Sequence, residues 1–422
     1  MSIIENIATK LGYDPKGDNG TEVYSTNSVT IAANQLERSI ERLMDGEYLW
    51  AKTPEGHAYL KTGYSDDLQQ VLYKMTRLST THAGIIQKKA KMVSGRNVTW
   101  TNCYKGVKGQ SLDIFMKNIN RKRETIGKIL KHAAYQYTMG GAAAFLVKYN
   151  DEHTKVVSIE SLDLHSVRRE VEDGTGIPTE NFVVRRIFGI KNINKNNVSR
   201  VVAPFNKFDK ENNEQLLYLM NPYSGNEYYG IPNYVAAYNF VAADHEFGQT
   251  VYSSSANGFM PKIMATFIGR NMSKTEKEQQ SKNFKTSFFG SKAEPVITAW
   301  VKKADEAPEI KGLDINNLDR TISVMTALND AKILTAHNVT SPVLFGVMVA
   351  GKLGGTGNEI LTAYQIFRAT ETMTVREDLT DELEKIFSSV GCNIKLTVEE
   401  DVVDMSSLKG VDTNDVKQEK DD

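Results

Sequence analysis

Residues 343–358 read VLFGVMVAGKLGGTGN, with five glycines and a single charged residue, Lys352, in a chain that is 24% charged. Glycine lacks a Cβ and adopts backbone conformations that other residues avoid. The segment therefore predicts a loop that can take several conformations. Asn358 is a good N-cap for a helix that follows it.

Helical patterns flank this loop on both sides. On its C-terminal side the pattern predicts one continuous helix from Glu359 to Ser388, which would be about 45 Å long at 1.5 Å per residue. On its N-terminal side, apolar residues at helical spacing predict a helix with one apolar stripe, ended by Pro342, whose ring cannot continue an α-helix. That stripe consists of Leu318, Ile322, Met325, Leu328, Ile333 and Ala336.

Length and composition limit the class of protein. The chain has 422 residues, a net charge of −1 and 40% hydrophobic residues, which predicts a protein of two or three domains or sub-domains. No run of 18 apolar residues and no signal peptide is present, so we expect an intracellular protein without a membrane span. Cys103 and Cys392 have no CxxC or Cys/His partners nearby, which indicates two free thiols.

Charge is unevenly distributed along the chain. Residues 262–311 contain ten Lys and Arg against six Asp and Glu, a net of +4. Residues 371–422 contain fifteen acids against six bases, a net of −9. A second basic run, KNINRKRETIGK at residues 117–128, could contact phosphate or form a solvated helix face.

The order of predicted elements indicates an α+β protein. Helical patterns cover residues 33–46, 65–94 and about 111–139, and short β-like runs between 142 and 220 predict an antiparallel sheet. A turn-rich hinge, residues 221–234, leads into a helix that ends near Asn257. Residues 261–302 then read as a β-α-β unit whose helix starts at Ser273.

Catalytic motifs are missing from the sequence. Gly346, Gly351 and Lys352 match a phosphate-binding loop, but Leu353 stands where a Ser or Thr must hold Mg²⁺. HExxH and GxSxG do not occur, no carboxylate set suggests a metal site, and His337 is interpreted as a cap or packing residue. We therefore predict that the protein is not an enzyme and binds no cofactor or metal.

Several segments in this order resemble the portal proteins of tailed bacteriophages, the head-to-tail connector family. The similarity is best between residues 221 and 387. The segments that carry it are NPYSGNEYYGIP (221–232), SSSANGFMPK (253–262), MSKTEKEQQSKNFKTSFFG (272–290), LNDAKILTAHNVTSPVLFG (328–346) and ILTAYQIF (360–367).

The resemblance implies a domain organisation. Residues 1–230 would form most of the wing, 231–257 and 314–339 the paired stem helices, and 258–313 a small β-α-β clip. Residues 340–357 would be the tunnel loop, 358–389 a long wing helix and 390–422 a short crown with an acidic tail.

The resemblance also implies a function. Portal proteins form a homo-oligomeric ring, usually a dodecamer, at one capsid vertex, through which double-stranded DNA is packaged and later ejected. Expected partners are further copies of the chain, double-stranded DNA, the terminase large subunit, a head-tail adaptor and the major capsid or scaffolding protein, first in the host cytoplasm and then in the virion.

The implied site residues fall into two groups. The loop that would line the DNA channel contributes Val347, Met348, Lys352, Leu353, Gly354 and Gly355. The clip surface that would dock partners contributes Lys274, Lys277, Lys282 and Lys285. Two alternatives stay open: another capsid or tail protein without a channel, and a nucleic-acid-dependent NTPase.

Overall fold

The computed structural model describes most of the chain between residues 49 and 400. It covers 49–63, 66–102, 109–188, 197–221, 227–256, 263–268, 296–301, 318–345 and 357–400, with positions 273, 275, 276, 278 and 279. The predicted helix at 33–46 and Cys103 lie outside these residues, whereas Cys392 is a buried free thiol.

Two short strands and two helices open the described chain. The strands are β1 (Trp50–Lys52) and β2 (Ala58–Leu60), and the helices are α1 (Leu68–Leu78) and α2 (Thr80–Ser94). The prediction of one helix from Ser65 to Ser94 is wrong. Ser79 has an extended backbone and its Oγ accepts a hydrogen bond from the His82 N–H at 3.0 Å, so it caps a new helix.

The third predicted helical region is also divided. After β3 (Asn97–Asn102) come α3 (Gly109–Lys117) and α4 (Ile126–Gly140), separated by a turn that carries the basic run. Thr125 caps α4 by accepting a hydrogen bond from the Lys128 N–H at 3.3 Å. The basic run therefore lies mostly in a connection between helices.

The predicted sheet region forms one large sheet with β1 and β2. Its remaining strands are β4 (Ala142–Tyr149), β5 (Val156–Leu162), β6 (Val167–Val171), β7 (Pro178–Val184), β8 (Arg200–Pro204) and β9 (Glu214–Met220). The strand order is β1-β2-β6-β7-β8-β9-β4-β5, and every pairing is antiparallel except the parallel pair β8 and β9. The mostly antiparallel α+β prediction is confirmed.

Two glycines let the backbone before the next helix cross the start of β4. Gly141 has φ +72°, and a Cβ there would lie 2.4 Å from the Ile231 carbonyl carbon. A Cβ on Gly230 would lie 2.3 Å from the Gly141 oxygen. Since both close contacts are with backbone atoms, a larger residue at either position forces the two segments apart.

A pair of helices follows this crossing. A 3₁₀ turn at Asn233–Ala237 leads into α5 (Tyr238–Ala256), and α6 (Leu318–Ala336) packs against α5. The prediction that Pro342 ends the second of these helices is wrong. Asn338, at φ 55°, ends it earlier in a Schellman motif, with Asn338 N–H bonded to the Thr335 oxygen and Val339 N–H to the Leu334 oxygen.

Two parallel strands lie in sequence between these helices. They are β10 (Ile263–Ile268) and β11 (Val296–Val301), and parallel pairing is what a β-α-β unit requires. At the predicted helix start, the Ser273 N–H donates to Glu276 Oε2 at 2.8 Å and the Glu276 N–H donates to Ser273 Oγ at 3.3 Å. This reciprocal pattern is a capping box.

The long C-terminal helix is helical along its length but not regular. It consists of α7 (Gly357–Phe367), one π-helical turn (Arg368–Thr372) and α8 (Met373–Ser388). A last strand, β12 (Ile394–Glu399), pairs antiparallel with β3. The prediction of one uninterrupted α-helix is wrong, because the π turn interrupts it at Arg368–Thr372.

Successive side chains of β4 point alternately into two separate hydrophobic clusters. Its odd-numbered side chains, such as Phe145 and Val147, pack with α3, α4, α8, β3 and β12. Its even-numbered side chains, such as Leu146, pack with side chains of β6, β7 and β8. A third cluster joins α1, α2, the start of α5 and the end of α6, and this cluster forms the base of the helix pair.

Candidate functional site: the helix pair and its base

None of the site residues expected from the sequence can be placed. The loop residues from Val347 to Gly355 and the lysines of the clip, Lys274, Lys277, Lys282 and Lys285, lie outside the described residues. What the structure shows is the frame on either side of them, namely α5, α6 and the cluster at their base.

The base of the helix pair is fixed by polar and apolar contacts. Asn329, 4% exposed, donates from Nδ2 to the Phe240 oxygen at 2.7 Å and so joins α6 to α5. Thr81 Oγ1 donates to Asp330 Oδ1 at 2.7 Å and joins α2 to α6. Ile333 and Val241 are completely buried beside these bonds.

Further toward its N-terminus, α6 exposes large apolar side chains. Val324 is 61% exposed, Met325 46% and Leu328 51%. On α5, Val251 is 45% and Tyr252 71% exposed. Among the members of the predicted apolar stripe whose side chains the structure describes, Ile333 is buried, whereas Met325 and Leu328 in the middle of α6 face outward.

Charge is missing from the same stretches. Residues 321–329 (TISVMTALN) and 247–256 (FGQTVYSSSA) contain no Asp, Glu, Lys or Arg. A solvated helix normally carries charged residues on its outer face. Exposed apolar helices without charge are typical of surfaces that another chain covers.

Two histidines meet beneath the helix pair. His82 Nδ1 lies 2.9 Å from His337 Nε2, and the Tyr234 ring stacks on His337 with centroids 4.7 Å apart. Burial lowers the pKa of His82 to about 4. Burial, together with the neighbouring His82 and Lys89, lowers the pKa of His337 well below its usual value. Both rings are therefore neutral at pH 7, and one donates to the other.

This histidine pair is a packing contact. His82 is 0% and His337 2% exposed, so a substrate cannot reach either ring. His337 occupies the C-cap position of the Schellman motif, in agreement with its interpretation as a cap or packing residue. His82 was not expected from the sequence, because its partner is 255 positions away.

A second polar cluster ties the end of α6 to the π turn. Glu371 accepts a hydrogen bond from Lys89 Nζ at 2.6 Å and from Asn338 Nδ2 at 3.1 Å. Lys89 is only 9% exposed, and Glu371 is its ion-pair partner. Because the π turn places Glu371 here, the irregularity in the long helix serves a specific contact.

The flanks of the glycine-rich loop are also held together. Thr340 Oγ1 donates to the Ala363 oxygen at 2.9 Å. The Phe345 and Phe367 rings pack edge to face with centroids 5.2 Å apart, and both are buried. The segment between them starts and ends at one fixed base.

The described residues were compared with the requirements of a metal site, a ligand cavity and a membrane span. They contain no group of three His, Cys, Asp or Glu side chains that could hold a metal ion. A cavity of about 420 Å³ lies between β3, α3 and the start of α4, lined by residues such as Trp100, Met116 and Thr125. None of the described helices is long and apolar enough to cross a membrane.

The sequence and the fold were compared with those of known proteins. No sequence-family model matches the chain, and no curated protein sequence does. Among solved structures, it is similar to a chain in the neck of an empty gene transfer agent (GTA) particle computed with C6 symmetry, with a TM-score of 0.52 and 11% identity, covering 81% of this chain and 86% of that one.

Two further solved structures are similar to this chain in fold. A chain in the neck of a native GTA particle computed with C12 symmetry has a TM-score of 0.50 and 12% identity over 89% of this chain and 92% of that one. A chain in the virion of the native particle has a TM-score of 0.50 and 11% identity over 89% and 91%. The chain therefore has the fold of a neck component, consistent with a portal-type head-to-tail connector. At this level of identity the likeness establishes the fold alone.

Proposed function

We propose that this protein is a portal-type connector, a ring at the capsid vertex through which double-stranded DNA is packaged and ejected. The observation that carries the proposal is the fold shared with chains of particle necks over most of both chains. The exposed, charge-free stretches of α5 and α6 support it, because neighbouring copies in a ring would cover them.

In this proposal the helix pair is the stem. The segment between β10 and β11 belongs to the clip, and residues 340–357 form the tunnel loop. The long helix belongs to the wing, as does the sheet. No nucleotide hydrolysis is assigned to the chain, since the motor activity would belong to a separate terminase.

The tunnel loop would make only weak contacts with the DNA. Its single cation, Lys352, would repeat around the ring and give weak phosphate contacts, because a dense cationic lining would hold DNA in a salt-dependent way and hinder sliding. The fixed base at Thr340 and Phe345 would keep each loop attached at the same height while its glycines allow it to move.

Packaged DNA per particle in assembled heads tests this role. Lys352→Ala should change DNA packaging or retention modestly. Replacing Gly354 and Gly355 with Pro should reduce packaging more, because it restricts the loop without removing charge. Normal packaging by the double-proline variant would show that loop mobility is irrelevant.

Heads assembled without this chain should contain no DNA, and full heads in that preparation would refute the proposed function.

The clip would dock the terminase and the head-tail adaptor. Its net charge of +4 over residues 262–311 suits acidic partner surfaces. Reversing Lys274, Lys277, Lys282 and Lys285 to Glu should leave ring formation intact and weaken partner binding. Unchanged binding with unchanged salt dependence would contradict the assignment.

A further inference from the structure

A dense basic surface surrounds the turn between α3 and α4. Six cations occur within fifteen residues, and all six are exposed. They are Lys117, Arg121, Lys122, Arg123, Lys128 and Lys131. We call this set the basic patch, and we infer that it binds the phosphate backbone of double-stranded nucleic acid.

The members of the basic patch form no direct ion pair among the described residues, although Asp163 lies near enough to Lys122 for the two charges to attract. Elsewhere in the chain, cations pair with acids, as Lys148 and Arg200 do with Glu214. No such ion pair is formed by any member of the patch within the described part of the chain. Two acids lie beside the patch and offset part of its charge: Glu124, which accepts a hydrogen bond from Asn120, and Asp163, which accepts from Gln136 and His132 and also attracts Lys122. The six cations outnumber these two acids.

The turn holds its three consecutive cations in a defined arrangement. Asn120 is only 7% exposed, and its Oδ1 accepts hydrogen bonds from the N–H groups of Lys122 at 3.0 Å and Glu124 at 3.2 Å. The Ile119 N–H donates to the Glu124 oxygen at 2.8 Å and closes the turn. Arg121, Lys122 and Arg123 are thus presented outward from an ordered backbone, which lowers the entropy cost of binding an anion.

Arg123 occupies a backbone position that suits another residue type better. Its φ is 57°, in the left-handed region that favours glycine and asparagine. The chain therefore keeps an arginine where its backbone is strained. Strain of this kind is expected where the side chain itself is needed.

The chemistry of the surface favours a polyphosphate backbone over bases or a protein. Residues 117–131, which carry all six cations, contain no aromatic side chain on which an unpaired base could stack. Ile119 in the turn and Ile126 at the start of α4 are buried, so apart from Ile114 on α3, which is 67% exposed, the cations do not surround an apolar centre of the kind typical of protein interfaces. Binding should be independent of base sequence and strongly dependent on salt.

This inference goes beyond the proposed function because it requires no ring and no channel. In a connector the patch would give the wing a contact with DNA that is separate from Lys352. A failure of DNA binding at the patch would leave ring formation untouched, and a failure of ring formation would leave duplex binding to be measured on the single chain.

The test is fluorescence anisotropy of a labelled 30-base-pair DNA duplex titrated with the full chain at several salt concentrations. The triple variant Arg121→Ala/Lys122→Ala/Arg123→Ala should bind at least ~30-fold more weakly near 0.1 M salt and reduce the slope of log K against log salt by about 2 to 3. The matched control, Lys74→Ala/Lys155→Ala/Lys207→Ala, removes three exposed lysines elsewhere and should keep wild-type binding.

A second variant separates binding from folding. Arg123→Gly relieves the strained backbone while removing the cation. We expect an unfolding temperature equal to or above that of the wild type, together with duplex binding that is several-fold weaker. A purely structural Arg123 would instead show stability and binding unchanged or reduced together.

Three results would overturn the inference. The first is wild-type duplex affinity in the triple variant, and the second is an equal loss in the triple variant and its lysine control. In the third, the triple variant loses binding to a polyglutamate peptide but keeps the duplex, which would assign the patch to an acidic protein.

Discussion

Leu328→Asp should prevent the chain from assembling. Leu328 is 51% exposed on the charge-free part of α6. Fully burying a leucine contributes about 1.5–3 kcal/mol, so covering its exposed half in an interface contributes about 1 kcal/mol. A carboxylate in the same place also has to be desolvated, which brings the loss to about 2–4 kcal/mol at each contact between copies.

A loss of this size raises the dissociation constant of a contact about 30-fold to 1,000-fold. Sedimentation velocity at micromolar protein would show this as a shift from the oligomer toward the single chain. Phe208→Asp is the matched control, because Phe208 is 84% exposed but lies after β8, away from the helix pair. If the Leu328→Asp variant assembles at the same concentration as the wild type, other copies of the chain do not cover the exposed part of α6.

The remaining predictions concern buried contacts of the fold. Because burial depresses the pKa of His82 and His337 below the unfolded value of about 6.5, the unfolded chain binds more protons and stability falls as the pH drops below about 6.5. His337→Phe should reduce the slope of the unfolding free energy in urea against pH, averaged between pH 6.5 and 5, by about 1 kcal/mol per pH unit, and an unchanged slope would contradict the neutral pair. Asp66→Ala removes the carboxylate that Arg168 Nε contacts at 2.7 Å, and since Arg168 is 0% exposed the loss should be about 3–5 kcal/mol, whereas a loss below about 1 kcal/mol would show that water reaches the charge. Gly230→Ala should lower the unfolding temperature because its Cβ would meet the Gly141 backbone, while Gly248→Ala, in open space on α5, should not.

Local patterns in the sequence were sufficient for most of the described elements. The segments from 142 to 220 alternate or run apolar between turn residues, and the structure forms β4 to β9 within this range. The capping box at Ser273 is equally local, since both of its bonds join Ser273 to Glu276.

Helix breaks were harder to predict because apolar spacing continues across them. Ser79 interrupts a run in which the apolar residues keep their period, and only its cap interaction with His82 distinguishes it from a helical serine. The π turn at Arg368–Thr372 has the same origin: it satisfies the distant Lys89 and Asn338 through Glu371, which no local pattern reports.

Strands that pair across long stretches of the chain were missed for a related reason. β3 and β12 are nearly three hundred positions apart, and each is short and partly exposed. The predicted apolar stripe of α6 could not show which of its residues are buried, because the exposed Met325 and Leu328 lie on the same period as the buried Ile333. The signal that distinguishes them is the missing charge on the opposite face, where Val324 and Ala327 stand.

Electron microscopy of the purified protein shows directly whether copies of the chain form a ring. We expect rings with a central hole in end views, with every copy contributing α5 and α6 to the channel wall. Single chains at all concentrations, or assemblies without a hole, would contradict it.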